Sequence, residues 1–140
     1  MRTLNDWMAE YGVSHQNPLN KRIHWVCVPA IVFSVLAMLH AISPMLVLLA
    51  VVGALIFYAR LSPRLMMGAA LLLGMMWLIA GLLPHPFIIG LMVFVIAWLG
   101  QFYGHFVEGK KPSFFKDLQF LLIGPLWLLH HVYVQKNWTV

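Results

Sequence analysis

Charge is what this sequence has least of. Asp, Glu, Lys and Arg make up 9% of its 140 residues, where a soluble domain carries about 25%. With 62% of the residues hydrophobic and a mean hydropathy of +0.86, a chain this short cannot hide its apolar surface in one water-soluble core. Acidic residues are scarcest, four against nine Lys and Arg, for a net charge of +5. The basic residues are few and lie between apolar blocks, so they read as topology signals and contacts to anionic lipid head groups, and no nucleic-acid partner is expected. Cys27 is the only cysteine, which excludes an internal disulfide; in its apolar run it reads as inert packing. The chain opens on a polar, amphipathic stretch, so no cleavable signal peptide is expected. Gly-rich phosphate loops, nucleophile elbows, CxxC pairs and HExxH motifs are all missing, as are internal repeats. The length fits a single membrane-embedded domain over residues 1–140.

What is present is four apolar runs, at about Trp25–Ile42, Met45–Ala59, Leu65–Leu83 and Phe87–Tyr103. Each is near the roughly 20 residues that cross a bilayer as a helix. Arg2, Lys21 and Arg22 precede the first run, Arg60 and Arg64 separate the second and third, and Lys110, Lys111, Lys116 and Lys136 follow the fourth. The connections at 43–44 and 84–86 contain no Lys or Arg. Basic and bare loops alternate, which predicts a multi-pass protein with both termini in the cytoplasm, in a bacterial inner membrane or the endoplasmic reticulum. A fifth run, Leu118–Val134, is interrupted by Gly124-Pro125. A span, a re-entrant hairpin and a surface helix are all open to it, and the Gly-Pro pair favours an interfacial or re-entrant element.

Ahead of the spans, Thr3 and Asp6 form a capping-box pattern. Leu4, Trp7, Met8 and Tyr11 follow at helical spacing, with Gly12 placed to stop the helix. Asn17-Pro18 reads as an N-cap and first helical residue. The expected fold is therefore all-α: a polytopic membrane helix bundle of four transmembrane helices, an amphipathic N-terminal helix and a C-terminal interfacial or re-entrant helix.

This topology sorts the seven histidines. His15, His24 and His105 fall at the cytoplasmic face and His40 and His85 at the other, while His130 and His131 follow the last segment. His105 and Glu108 share a helix face, and the Gly100/Gly104 step lets another helix come close, bringing the His105 turn near the first span. Neutral imidazoles are good transition-metal ligands, and several with one carboxylate suit non-haem Fe(II) chemistry. Lys21 and Arg22 are ordinary head-group contacts that can equally hold a substrate carboxylate.

The segments Ser14-His15-x-Asn17-x-x-Asn20-Lys21-x-x-His24, with Pro29 five residues on, and Gln101-Phe102-x-Gly104-His105-x-x-Glu108-Gly109-x-x-Pro112 resemble two blocks of the 2-hydroxy fatty acid dioxygenase family. The resemblance implies an Fe(2+)-dependent dioxygenase that converts a 2-hydroxy fatty acid and O2 to a fatty acid one carbon shorter and CO2. By matching position it makes His15, His24 and His105 iron ligands or close neighbours, with His130 a fourth candidate and Glu108 beside them in the catalytic group. Asn17, Asn20, Lys21 and Arg22 would orient the carboxylate, the tail staying among membrane lipids. Homo-oligomerisation is left open.

Two other readings compete. A haem protein would need His24/His40 and His85/His105, sixteen and twenty residues apart, to share faces; at about 100° per residue they point to nearly opposite sides. A non-enzymatic scaffold or small transporter fits the apolar spans but leaves the polar cluster unexplained, and no span carries a mid-membrane charge.

Overall fold

The computed structural model describes residues 2–109 and 114–140, with side chains of the last helix from residue 119 onward. Lys110, Lys111 and Pro112 lie outside the described residues, as do the side chains of Lys116 and Asp117. The described chain is helical without strands: α1 (Leu4–Val13), α2 (Pro18–Ile42), α3 (Pro44–Leu61), α4 (Pro63–Leu82), α5 (Pro86–Glu108) and α6 (Phe114–Gln135). Helices α2 to α5 are long and apolar enough to cross a membrane, at 25, 18, 20 and 23 residues. Their outer faces expose side chains such as Leu71, Leu78, Leu82 and Ile96, as a membrane protein requires.

Local chemistry sets the helix starts. Each of α2 to α5 begins on a proline, which has no N–H to leave unpaired in the first turn. Asn17, Ser43 and Ser62 precede three of these prolines, and their side-chain oxygens accept from Leu19 N at 2.9 Å, Met45 N at 3.3 Å and Leu65 N at 3.2 Å. Helix α1 starts on the full capping box: Thr3 N donates to Asp6 Oδ2 at 2.9 Å, and Asp6 N donates to Thr3 Oγ1 at 3.2 Å. It ends one residue beyond Gly12, with Ser14 as its C-cap. The stop comes from Ser14 N and His15 N bonding back three residues, to Tyr11 O and Gly12 O.

The α2–α5 contact is the most extensive in the bundle, and small residues make it close. A Cβ on Gly100 would press on Cys27 Sγ, and one on Gly104 would overlap Asn20 Oδ1. Helix α2 also packs on α3, α4 and α6, which makes it the central element.

The Gly124-Pro125 pair does not break the last helix: α6 runs from Phe114 to Gln135 with Pro125 inside it, so no re-entrant turn forms there. Pro125 cannot donate to the Leu121 carbonyl, and next to that defect Tyr58 Oη donates to Leu122 O at 2.5 Å. Gly124 marks a crossing point, because a Cβ there would sit 2.8 Å from Val28 Cγ1. Further along, Tyr133 Oη donates to Arg64 O at 2.8 Å, and His131 meets the Trp25 ring edge-on at 5.6 Å. Tyr58, Arg64 and Trp25 belong to the end of the bundle where α2 and α4 start and α3 finishes, and Val28 lies just inside it on α2. Helix α6 is therefore laid across that end of the bundle. Helix α1 packs against it through Tyr11, Phe120 and Ile123. An apolar cavity of about 190 Å³ lies under its middle, between Leu122, Pro125, Val35, Leu36, Val51 and Leu73.

Candidate functional site

The end covered by α1 and α6 holds the buried polar side chains His15, Asn20, His24, Gln101 and His105. His15 sits in the turn after α1, His24 in the second turn of α2 and His105 in the last turn of α5. Their separation along the sequence is closed by the α2–α5 contact at Gly104, where a Cβ would also lie 3.3 Å from His24 Cε1.

Each of the first two rings is oriented from one turn earlier. His15 Nδ1 bonds Tyr11 O at 2.5 Å, and His24 Nδ1 bonds Asn20 O at 3.0 Å. A carbonyl only accepts, so both rings carry a proton on Nδ1, and in their neutral form the lone pair is on Nε2. The His15 and His24 centroids are 4.1 Å apart at 81°, and those of His24 and His105 are 6.2 Å apart at 87°. The Tyr11 ring lies flat on His15 at 3.9 Å. Phe120 and Trp127 of α6 come within 5.0 Å of Tyr11 and close the aromatic wall.

The donor set fits a transition metal in kind. Backbone carbonyls that fix Nδ1–H are the usual outer support of a ligating imidazole. With a metal–nitrogen bond of about 2.1 Å, two rings on one ion have centroids no more than about 6.4 Å apart, and both separations fall inside that limit. Among the described residues, no three His, Cys, Asp or Glu side chains already converge on one point.

The other expected residues divide. Glu108, expected in the catalytic group, has its Oε1 accepting from Gln16 N at 3.0 Å, Asn17 N at 2.8 Å and Asn20 Nδ2 at 3.1 Å. Asn20 is fully buried, and its Nδ2 also donates to Ser14 O at 3.2 Å. Asn17 spends its side chain on the α2 cap. Lys21 and Arg22 are exposed on the first turn of α2. Among the described residues, no hydrogen bond or ring contact joins His130 to His15, His24 or His105. From its neighbourhood it is His131 that reaches the aromatic wall, stacking on Trp127 at 6.2 Å. His40 accepts from Trp77 Nε1 at 3.1 Å, on α2 and α4 away from the site.

Tyr11, Phe120 and Trp127 were not legible as site residues. Tyr11 reads as part of an amphipathic stripe and Trp127 as an interface anchor; the one usable signal is that Tyr11 lies four residues before His15. Gln101 stands one turn before His105, and its buried Oε1, like Asn20 Oδ1, has no hydrogen-bond partner among the described residues.

Fold and site together define a helical membrane protein with a buried histidine centre at one end of its bundle. The family model described as 2-hydroxy-palmitic acid dioxygenase Mpo1-like matches residues 1–136, and the chain belongs to that family. It is 35% identical over 134 residues to 2-hydroxy-palmitic acid dioxygenase MPO1 of Saccharomyces cerevisiae, across 90% of this chain and 77% of that one. No solved structure matches it.

Proposed function

We propose that this protein is a non-haem iron dioxygenase that shortens 2-hydroxy fatty acids by one carbon, consuming O2 and releasing CO2. The observation that carries the reading is the gathering of three buried imidazoles, His15, His24 and His105, in a chain of this family. These three would hold Fe(II), which when bound supplies oxygen activation and a Lewis-acid centre for the 2-hydroxy carboxylate. His130, with no hydrogen bond or ring contact to them among the described residues, is left outside the proposed set.

The chain's own residues do the rest. Nδ1–H bonds to Tyr11 O and Asn20 O keep the Nε2 lone pairs of His15 and His24 available for ligation. Tyr11, Phe120 and Trp127 exclude water from one side. Lys21 and Arg22, exposed on the first turn of α2, draw an anionic head group toward the site from the membrane surface. The tail stays in lipid or enters the apolar cavity under α6. The alternation of basic and bare loops supports a cytoplasmic position for this end and both termini.

The test is oxygen uptake by the purified protein in detergent with Fe(II), comparing a long-chain 2-hydroxy fatty acid with the unsubstituted acid. Uptake with the hydroxylated acid alone, a product one carbon shorter, and loss of both iron and turnover in His105→Ala are expected. Equal uptake with both acids, or none despite bound iron, overturns the substrate.

A further inference from the structure

Glu108 stands at the last residue of α5, and all three donors it receives converge on one oxygen. Gln16 N and Asn17 N belong to the turn that follows His15, and Asn20 Nδ2 belongs to the first turn of α2. These amides precede and open α2, where backbone N–H groups have no partner inside the helix and a negative charge is favoured by the helix dipole. The same contact reaches both neighbouring histidines. The turn it fastens carries His15, and Asn20, which it holds through Nδ2, presents its backbone oxygen to His24 Nδ1. Asn20 is held from the other side by Ser14 O, so its amide bonds two acceptors through one nitrogen and its orientation is fixed.

We propose that Glu108 is a positioning residue: its Oε1 pins the end of α5 to the turn between α1 and α2, and through that turn and Asn20 it sets the His15 and His24 rings relative to His105. What the pin needs is an oxygen acceptor at the Oε1 position. A negative charge strengthens it, but neither proton transfer nor ligation by Glu108 is required. The inference refines the role of one residue in the proposed site, and its main readouts use metal-free, substrate-free protein.

The experiment compares wild type, Glu108→Gln and Glu108→Ala as full-length chains in detergent. Amide hydrogen exchange is followed at Gln16 and Asn17, together with the imidazole nitrogen chemical shifts of His15 and His24. Loss of hydrogen bonds to a charged acceptor should speed exchange at both amides about tenfold to hundredfold in Glu108→Ala and move both histidine signals. Glu108→Gln keeps an oxygen in place and should restore both readouts to within a few-fold of wild type. Wild-type exchange in Glu108→Ala overturns the pin. A Gln variant whose amides stay protected but whose oxygen uptake is as low as that of Ala also overturns it, because the carboxylate would then be acting on the metal or substrate itself. If Glu108→Ala does not fold, Glu108→Asp, which draws the oxygen back by one methylene, is read the same way, with unchanged exchange again refuting the pin. Should wild type take up no oxygen while the amide and imidazole pattern holds, the reaction falls and the pin stands.

Discussion

Gly104→Ala puts the α2–α5 contact under the sharpest load. The new methyl would overlap Asn20 Oδ1 and stand 3.3 Å from His24 Cε1. Asn20 cannot swing aside cheaply, since it is fully buried and its Nδ2 is held by Ser14 O and Glu108 Oε1. Either α5 backs away from α2 or Asn20 surrenders those bonds. Overpacking a close contact costs about 1–3 kcal/mol, and an unsatisfied buried amide about 1–3 kcal/mol more. Against this, Ala favours a helix over Gly by about 1 kcal/mol. The net expectation is about 1–5 kcal/mol of destabilisation, concentrated at the histidine end. Gly53 and Gly74 supply the control, because a Cβ at either meets nothing within 4 Å; their alanine variants should be neutral or more stable. Thermal unfolding in detergent, read alongside the His24 imidazole signal, decides the matter. A Gly104→Ala protein as stable as Gly74→Ala, with its His24 signal unmoved, would refute the close-contact reasoning.

Three further outcomes are expected. Tyr58→Phe leaves the Leu122 carbonyl without its 2.5 Å partner, and should cost about 1–3 kcal/mol and speed amide exchange along α6 before it affects α5. Gly124→Val drives a branched side chain into Val28, whose Cγ1 lies 2.8 Å from the Cβ position; it should lift α6 from the bundle, and Trp127 fluorescence should report greater solvent access. The Thr3 backbone N–H, the largest influence, lowers the Asp6 carboxyl below its ordinary value of 3.8. A depressed carboxylate stabilises the fold above its unfolded pKa and loses that contribution as pH falls through the folded one. Docking of α1 should thus be unaffected by this group above about pH 4 and weaken only below it, as followed by Trp7 emission; Asp6→Asn should remove that acid transition, and Thr3→Ala, which keeps the backbone N–H, should only shrink it.

The local features and the close approach at Gly100 and Gly104 were legible from the sequence, and the crossing of α6 was not. Thr3 with Asp6, and Asn17 with Pro18, announce helix starts because a cap is made within three residues. Gly100 and Gly104 announce a close helix approach because spacing along one helix decides which face is thin. The same spacing brought His105 toward His24. The path of α6 depends on what Gly124 meets, and Val28 is nearly a hundred positions away. A Gly-Pro pair that reads as a break in isolation is a crossing point once Val28 and Tyr58 are beside it. For Glu108, the three-residue offset from His105 is legible, but its partners Gln16 and Asn17 in the turn before α2 and Asn20 in α2 are about ninety positions away and were not. Tyr11 was hidden by its apolar company, since an aromatic stripe looks the same whether it faces lipid or covers an imidazole.

The placement of α6 across the end of the bundle also bears on the order of synthesis. A ribosome delivers the four apolar helices before the residues that close the histidine end, so a growing chain can be threaded into its membrane while Phe120 and Trp127 are still unmade. At that stage His15 and Tyr11 have no cover from α6. A chain cut short before residue 118 would keep the four apolar helices but lose the aromatic cover that Phe120 and Trp127 place over Tyr11 and His15.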